Sequence, residues 1–111
     1  MKPIRLADPD QPPEGHTLKF IFRRGRKTIE GFLVRVDGQL LAYENQCRHL
    51  SLPLDQGDNG LLTKDGRHLR CQHHGALYET AGGLCVRGPC EGASLRPLKI
   101  ELKSGAVWLA P

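Results

Sequence analysis

Two short runs in the middle of the chain, Cys47-Arg48-His49 and Cys71-Gln72-His73-His74, set the strictest condition on what this sequence can fold into. Each couples a thiol to an imidazole close by, and 21 residues separate the pairs. At such spacing a thiolate and an imidazole on one short loop can turn to a common metal site. Two loops held face to face then supply two sulfur and two nitrogen ligands. That set suits a tetrahedral zinc or an iron–sulfur cluster ligated unevenly by Cys and His. Two neutral imidazoles in place of anionic thiolates make one iron easier to reduce, which lifts the potential above that of all-cysteine clusters.

The flanks read as the scaffold for those loops. Leu18, Phe20 and Phe22 alternate with Lys19, Ile21 and Arg23, and Phe32, Val34 and Val36 alternate with Leu33, Arg35 and Asp37. Near the end Leu98, Ile100 and Leu102 oppose Lys99, Glu101 and Lys103. Apolar residues at every second position mark half-buried strands, and Asp37-Gly38 between two such runs is a hairpin signal. Asp65-Gly66 and Ser104-Gly105 repeat that turn chemistry. No segment sustains a 3.6-residue apolar period, so the expected class is all-β: antiparallel sheets in a sandwich or barrel-like base.

From Asn45 to Glu91 the composition changes to Gly, Pro, Asp, His and Cys, and all four cysteines fall here. The expected organisation is therefore one domain over residues 1–111, with a loop-rich site subdomain at about 45–91 inserted in a β base. A chain of 111 residues has room for one modest core. No apolar run approaches the roughly 18 residues of a membrane span. Pro3, Asp8 and Pro9 interrupt the N-terminus before an apolar stretch develops, which does not read as a secretory signal. A cytoplasmic setting is expected, where four cysteines read as ligands or free thiols rather than two disulfides. The net charge of +4 and pI near 9.1 invite a nucleic-acid reading. Only Arg23, Arg24, Arg26 and Lys27 cluster, however, around Gly25, as a solvated hairpin tip would. With no aromatic-interleaved basic stripe, neither nucleic acid nor membrane is an expected partner.

The two pairs, followed by Gly75, resemble the signature of Rieske iron–sulfur proteins: C-x-H, an interval, then C-x-x-H-G. The resemblance extends to Asn45-Gln46, to Leu52-Pro53-Leu54 and to Gly75-Ala76-Leu77-Tyr78-Glu79. The run from Gly83 to Pro89 resembles the third, proline-containing loop that closes over the cluster, and Arg5 to Asp8 with Pro13 to Gly15 resemble the start of Rieske ferredoxins. It implies a [2Fe–2S] cluster with Cys47 and Cys71 on the inner iron, His49 and His74 on the outer one, and the histidine edges as the electron exit. Gly75, Tyr78 and Pro89 are the implied surroundings. His73 repeats the spacing of the first pair, so spacing alone does not choose between it and His74. Gly75 favours His74, because a residue without a side chain lets the backbone approach the cluster. Cys85, Cys90, His16 and His68 are read as a pair of small buried residues and two ordinary histidines; a Cys85–Cys90 disulfide or second metal pair is disfavoured.

High-potential Rieske proteins carry an extra cysteine in each cluster loop, where this chain has Leu52 and His73, so that bridge is not expected. They also place serine after the glycine, where this chain has Ala76, while Tyr78 keeps the second hydroxyl. The pattern fits the ferredoxin branch and a potential in the lower part of the Rieske range. Arg48, exposed and screened, is expected to matter little.

The resemblance implies an electron carrier between redox partners: a flavin reductase on one side, an oxygenase or other terminal enzyme on the other. The basic surface would suit an acidic partner. Two alternatives stand beside it: a small subunit of a larger redox enzyme, of nitrite reductase type for example, and a structural zinc-binding interaction module. A complete Rieske oxygenase is not expected, since it needs a second domain with two His and a carboxylate on a mononuclear iron. No nucleophile–base pair points to independent catalysis.

Overall fold

A computed structural model of the chain describes residues 3–47, 53–54, 61–72 and 75–110. Among them are nine strands and no helix: β1 (Ile4–Ala7), β2 (Thr17–Arg24), β3 (Lys27–Val36), β4 (Gln39–Glu44), β5 (His68–Arg70), β6 (Leu77–Glu79), β7 (Cys85–Arg87), β8 (Ile100–Lys103) and β9 (Ala106–Leu109). They form three antiparallel three-stranded sheets, ordered β1-β9-β8, β2-β3-β4 and β5-β6-β7. The all-β class read from the sequence is the observed one.

The turns do what their residues dictate. Asp37 and Gly38 (φ 52° and 73°) and Ser104 and Gly105 (51° and 70°) are both pairs at positive φ, the geometry of a two-residue type I′ hairpin. They join Val36 to Gln39 and Lys103 to Ala106 in register. Gly25 and Arg26 close β2 on β3, pairing Arg24 with Lys27. This tip is exposed, as its charge suggests, but Arg24 is not merely solvated. Its guanidinium lies 3.0 Å from a Glu44 carboxylate oxygen and 5.5 Å from the Phe22 ring centroid.

Strand β3 departs from simple alternation. Phe32, Leu33 and Val34 are all fully buried, although Leu33 falls on the face that alternation assigned outward. The middle sheet is covered on both sides: Phe32, Val34 and Tyr43 join the core shared with β5-β6-β7, whereas Leu33 and Ala42 join Ala7 and Val107 of the terminal sheet. A two-sided strand needs an unbroken apolar run rather than a period of two. Leu102 departs in the other direction. It sits on β8, at the edge of its sheet and beside the turn, and is largely exposed. Tyr43 ties the middle sheet to the β6–β7 connection: its hydroxyl donates to the Thr80 carbonyl at 2.7 Å and accepts the Gly82 N–H at 2.8 Å. Burial raises the Tyr43 pKa, and the Gly82 N–H opposes that rise.

Candidate metal centre

The first site loop leaves the end of β4. Asn45 is its anchor, and it is buried. Its backbone N–H donates to the Glu30 carbonyl at 2.8 Å, and its side-chain amide donates to the Glu30 carboxylate at 2.6 Å. Its amide oxygen accepts the Leu54 N–H at 2.8 Å, so it clasps the far end of the loop it begins. Leu54 in turn accepts the Gln72 N–H at 2.7 Å, which joins the first loop to the second. Cys47 lies inside this clasp at 1% exposure.

The second loop is the turn of the β5–β6 hairpin. Arg70 pairs with Leu77, the Cys71 N–H donates to the Ala76 carbonyl at 2.8 Å, and the Gly75 N–H returns to the Cys71 carbonyl at 2.9 Å. Cys71 is fully buried. Gly75 has φ +71°, and no described heavy atom lies within 4 Å of where a Cβ would stand.

The third loop follows β7. Gly88, at φ +104°, packs so tightly on the second loop that a Cβ there would lie 2.8 Å from the Ala76 Cα. Only a residue without a side chain fits both the dihedral and the gap. Pro89 is exposed beyond it. The loop turns back through Cys90, whose carbonyl accepts the Ala93 N–H at 2.9 Å.

Cys47, Cys71, Cys85, Cys90 and Tyr78 thus share one buried core, and none of the four cysteines is in a disulfide. The Tyr78 hydroxyl lies 3.5 Å from Cys47 Sγ and 2.9 Å from Cys90 Sγ. Cys90 donates to Cys85 Sγ at 3.2 Å, and Cys85 donates to the Arg87 carbonyl at 3.3 Å. Burial, then the Cys90 thiol beside it, pushes the Cys85 thiol up to about 11, so it stays protonated near neutrality. The sequence singled out Tyr78 but held no sign that Cys90 would touch it. His49 and His74, with Arg48, Leu52 and His73, lie outside the described residues. Among the described residues no three His, Cys, Asp or Glu side chains are placed to hold a metal ion. His16 is exposed and His68 half-buried on β5.

The described donors fit the implied cluster on three counts. Two thiols on adjoining loops are buried without being oxidised together, a hydroxyl approaches one of them, and no described atom beyond its chain neighbours crowds Gly75. Buried thiolates suit a soft metal centre screened from water.

Residues 6–104 match the family model described as Rieske [2Fe-2S] domain. Oxidoreductase NdmD of Pseudomonas putida is 33% identical over 78 residues, which is 64% of this chain and 12% of that protein. The chain thus spans about an eighth of the length of the curated relatives it matches. Among solved structures, the ferredoxin of carbazole 1,9a-dioxygenase from Nocardioides aromaticivorans IC177 superposes with a TM-score of 0.74 at 22% identity, covering 100% of this chain and 99% of that one. A chain in the complex of reduced oxygenase and oxidised ferredoxin of carbazole 1,9a-dioxygenase gives 0.73 at 25% identity, covering 97% and 92%.

Proposed function

The chain belongs to the Rieske [2Fe–2S] domain family, and from that premise we propose that it is a one-electron carrier whose cluster is held by Cys47, His49, Cys71 and His74. The observation that supports this most is the burial of Cys47 and Cys71 together, on two loops joined through Leu54 and Gln72, with the Tyr78 hydroxyl beside Cys47. When bound, the cluster supplies a centre that takes up and releases single electrons. The protein's part is to hold and screen. Cys47 and Cys71 present sulfur from inside the core, where water is excluded. His49 and His74 are the imidazole ligands on the outer side. Gly75 leaves the backbone free to approach, Tyr78 brings its hydroxyl oxygen within 3.5 Å of Cys47 Sγ, and Gly88 and Pro89 belong to the loop that closes over it. Residues of about 45–91 form the site-bearing part of a single domain.

The partner is a redox protein: a flavin reductase as donor, and an oxygenase or similar terminal enzyme as acceptor. The ferredoxin that superposes along its whole length and the ferredoxin–oxygenase complex favour this reading. The small share of NdmD that the match covers favours a second one, in which the same fold serves as the relay of a larger redox enzyme. Arg87 and Arg96 are exposed and, with a net charge of +4, suit an acidic docking face. Four cysteines outside any disulfide fit a cytoplasmic setting. Among the described residues no helix is long and apolar enough to cross a membrane.

The test is a transfer assay. Holoprotein reduced by one electron is mixed without oxygen with an oxidised Rieske oxygenase, and the visible bands of both are followed. Transfer at a rate that falls with ionic strength is expected. Absence of transfer to any such acceptor, or a colourless protein holding one zinc, contradicts the carrier reading.

A further inference from the structure

The buried sulfurs outside the ligand set form a directional chain, and its direction has a consequence for the centre. The Arg87 carbonyl can only accept, so the 3.3 Å contact with Cys85 must carry the Cys85 proton. A thiol has one proton. Cys85 Sγ therefore has only acceptor capacity left for Cys90 at 3.2 Å, and Cys90 must donate there. With its own proton committed, Cys90 Sγ can only accept from Tyr78 at 2.9 Å. The protons run Tyr78 to Cys90 to Cys85 to the Arg87 carbonyl, all away from Cys47.

Tyr78 also has one proton, and Cys47 Sγ lies 3.5 Å from the same oxygen. The competing sulfur is nearer by the difference between 3.5 and 2.9 Å. We infer that Cys90 is a positioning residue that competes with Cys47 for the Tyr78 hydroxyl proton and so lowers the potential of the centre. A donor aimed at a ligand sulfur stabilises the form with the extra negative charge and raises the potential, so diverting that donor lowers it. Cys85 and the Arg87 carbonyl act one step behind, by fixing which way Cys90 points. The inference rests on Cys47 being a ligand, as proposed above.

The experiment compares the holoproteins of the native chain, Cys90→Ala, Cys90→Ser, Tyr78→Phe and the double variant Cys90→Ala/Tyr78→Phe. Iron content and visible spectra come first, then midpoints by protein-film voltammetry. All five are expected to keep full iron, because neither residue is a ligand. Cys90→Ala removes the competing acceptor and is expected to shift the midpoint upward. Cys90→Ser restores an acceptor and returns it toward the native value. In the Tyr78→Phe background Cys90→Ala should give no further shift, since no proton remains to be shared. A packing effect would persist in that background. Persistence of the shift there, a downward or absent shift in Cys90→Ala, or loss of iron from Cys90→Ala and Cys90→Ser alike would each overturn the inference. A native chain with no [2Fe–2S] centre fails at the first measurement and overturns the ligand reading itself.

Discussion

The Asn45 side-chain oxygen accepts the backbone N–H of Leu54 across the mouth of the first site loop, at 2.8 Å. This one bond fixes where the loop ends, and through the Leu54 carbonyl it also fixes the second loop at Gln72. Asn45→Ala leaves the Leu54 N–H without that acceptor, and the Glu30 carboxylate without the Asn45 amide. Losing a buried partner costs about 1–3 kcal/mol. Lower urea stability and faster bleaching of the visible bands are expected, whereas unchanged bleaching would show that the clasp is dispensable.

Gly88 locks the third loop onto the second. Gly88→Ala puts a side chain at φ +104° and 2.8 Å from the Ala76 Cα. Strained dihedrals of this kind cost about 1–3 kcal/mol each, before the steric contact is added. Thermal unfolding should show a clear drop. Gly25→Ala is a control at another positive φ, where no described atom beyond its chain neighbours lies within 4 Å of the added carbon. It should lose less. Equal losses would mean that the contact with Ala76 contributes nothing.

The choice between the adjacent histidines is made on Gly75 and the family pattern. His74→Ala is expected to yield protein without an intact cluster, because an iron that loses one of four ligands opens to solvent. His73→Ala should retain the visible spectrum. The reverse result would make the spacing of the first pair the right guide.

Much of the fold was legible because turns declare themselves locally: Asp37-Gly38 and Ser104-Gly105 stand at the positive φ values their residues favour. The alternation of β2 was equally plain, with Phe22 buried and Ile21 exposed. Leu33 was not, since its burial depends on a third sheet lying behind β3, and that is a tertiary fact. In the site the cysteines announced themselves by spacing. Asn45 stood out only through a resemblance, and neither its bond to Leu54 nor the contact of Cys90 with Tyr78 was visible. The latter joins β6 to the loop after β7, and no local pattern encodes which sulfur a distant hydroxyl will meet.

Alkaline stability should report on Cys85. Its folded pKa, about 11, lies above its ordinary value, so the folded state holds the proton more tightly. The resulting stability is fully present below the ordinary thiol pKa and is lost as pH rises through the folded value. Unfolding free energy should therefore fall between about pH 9 and 11 in the native chain, and fall less in Cys85→Ala. Parallel pH profiles would show that the thiol is not held neutral by burial.

Pulsed EPR of the dithionite-reduced protein reads out a [2Fe–2S] cluster held by two cysteines and two histidines through the nitrogens of its ligands. The sample is grown with ¹⁵N-histidine, alongside iron and sulfide analysis. About two irons and two acid-labile sulfides per chain are expected. The reduced cluster should show an average g below that of all-cysteine clusters, and two strongly coupled histidine nitrogens that persist in His73→Ala. A reduced spectrum with no histidine nitrogen coupling, or a single zinc and no EPR signal, would contradict that cluster assignment.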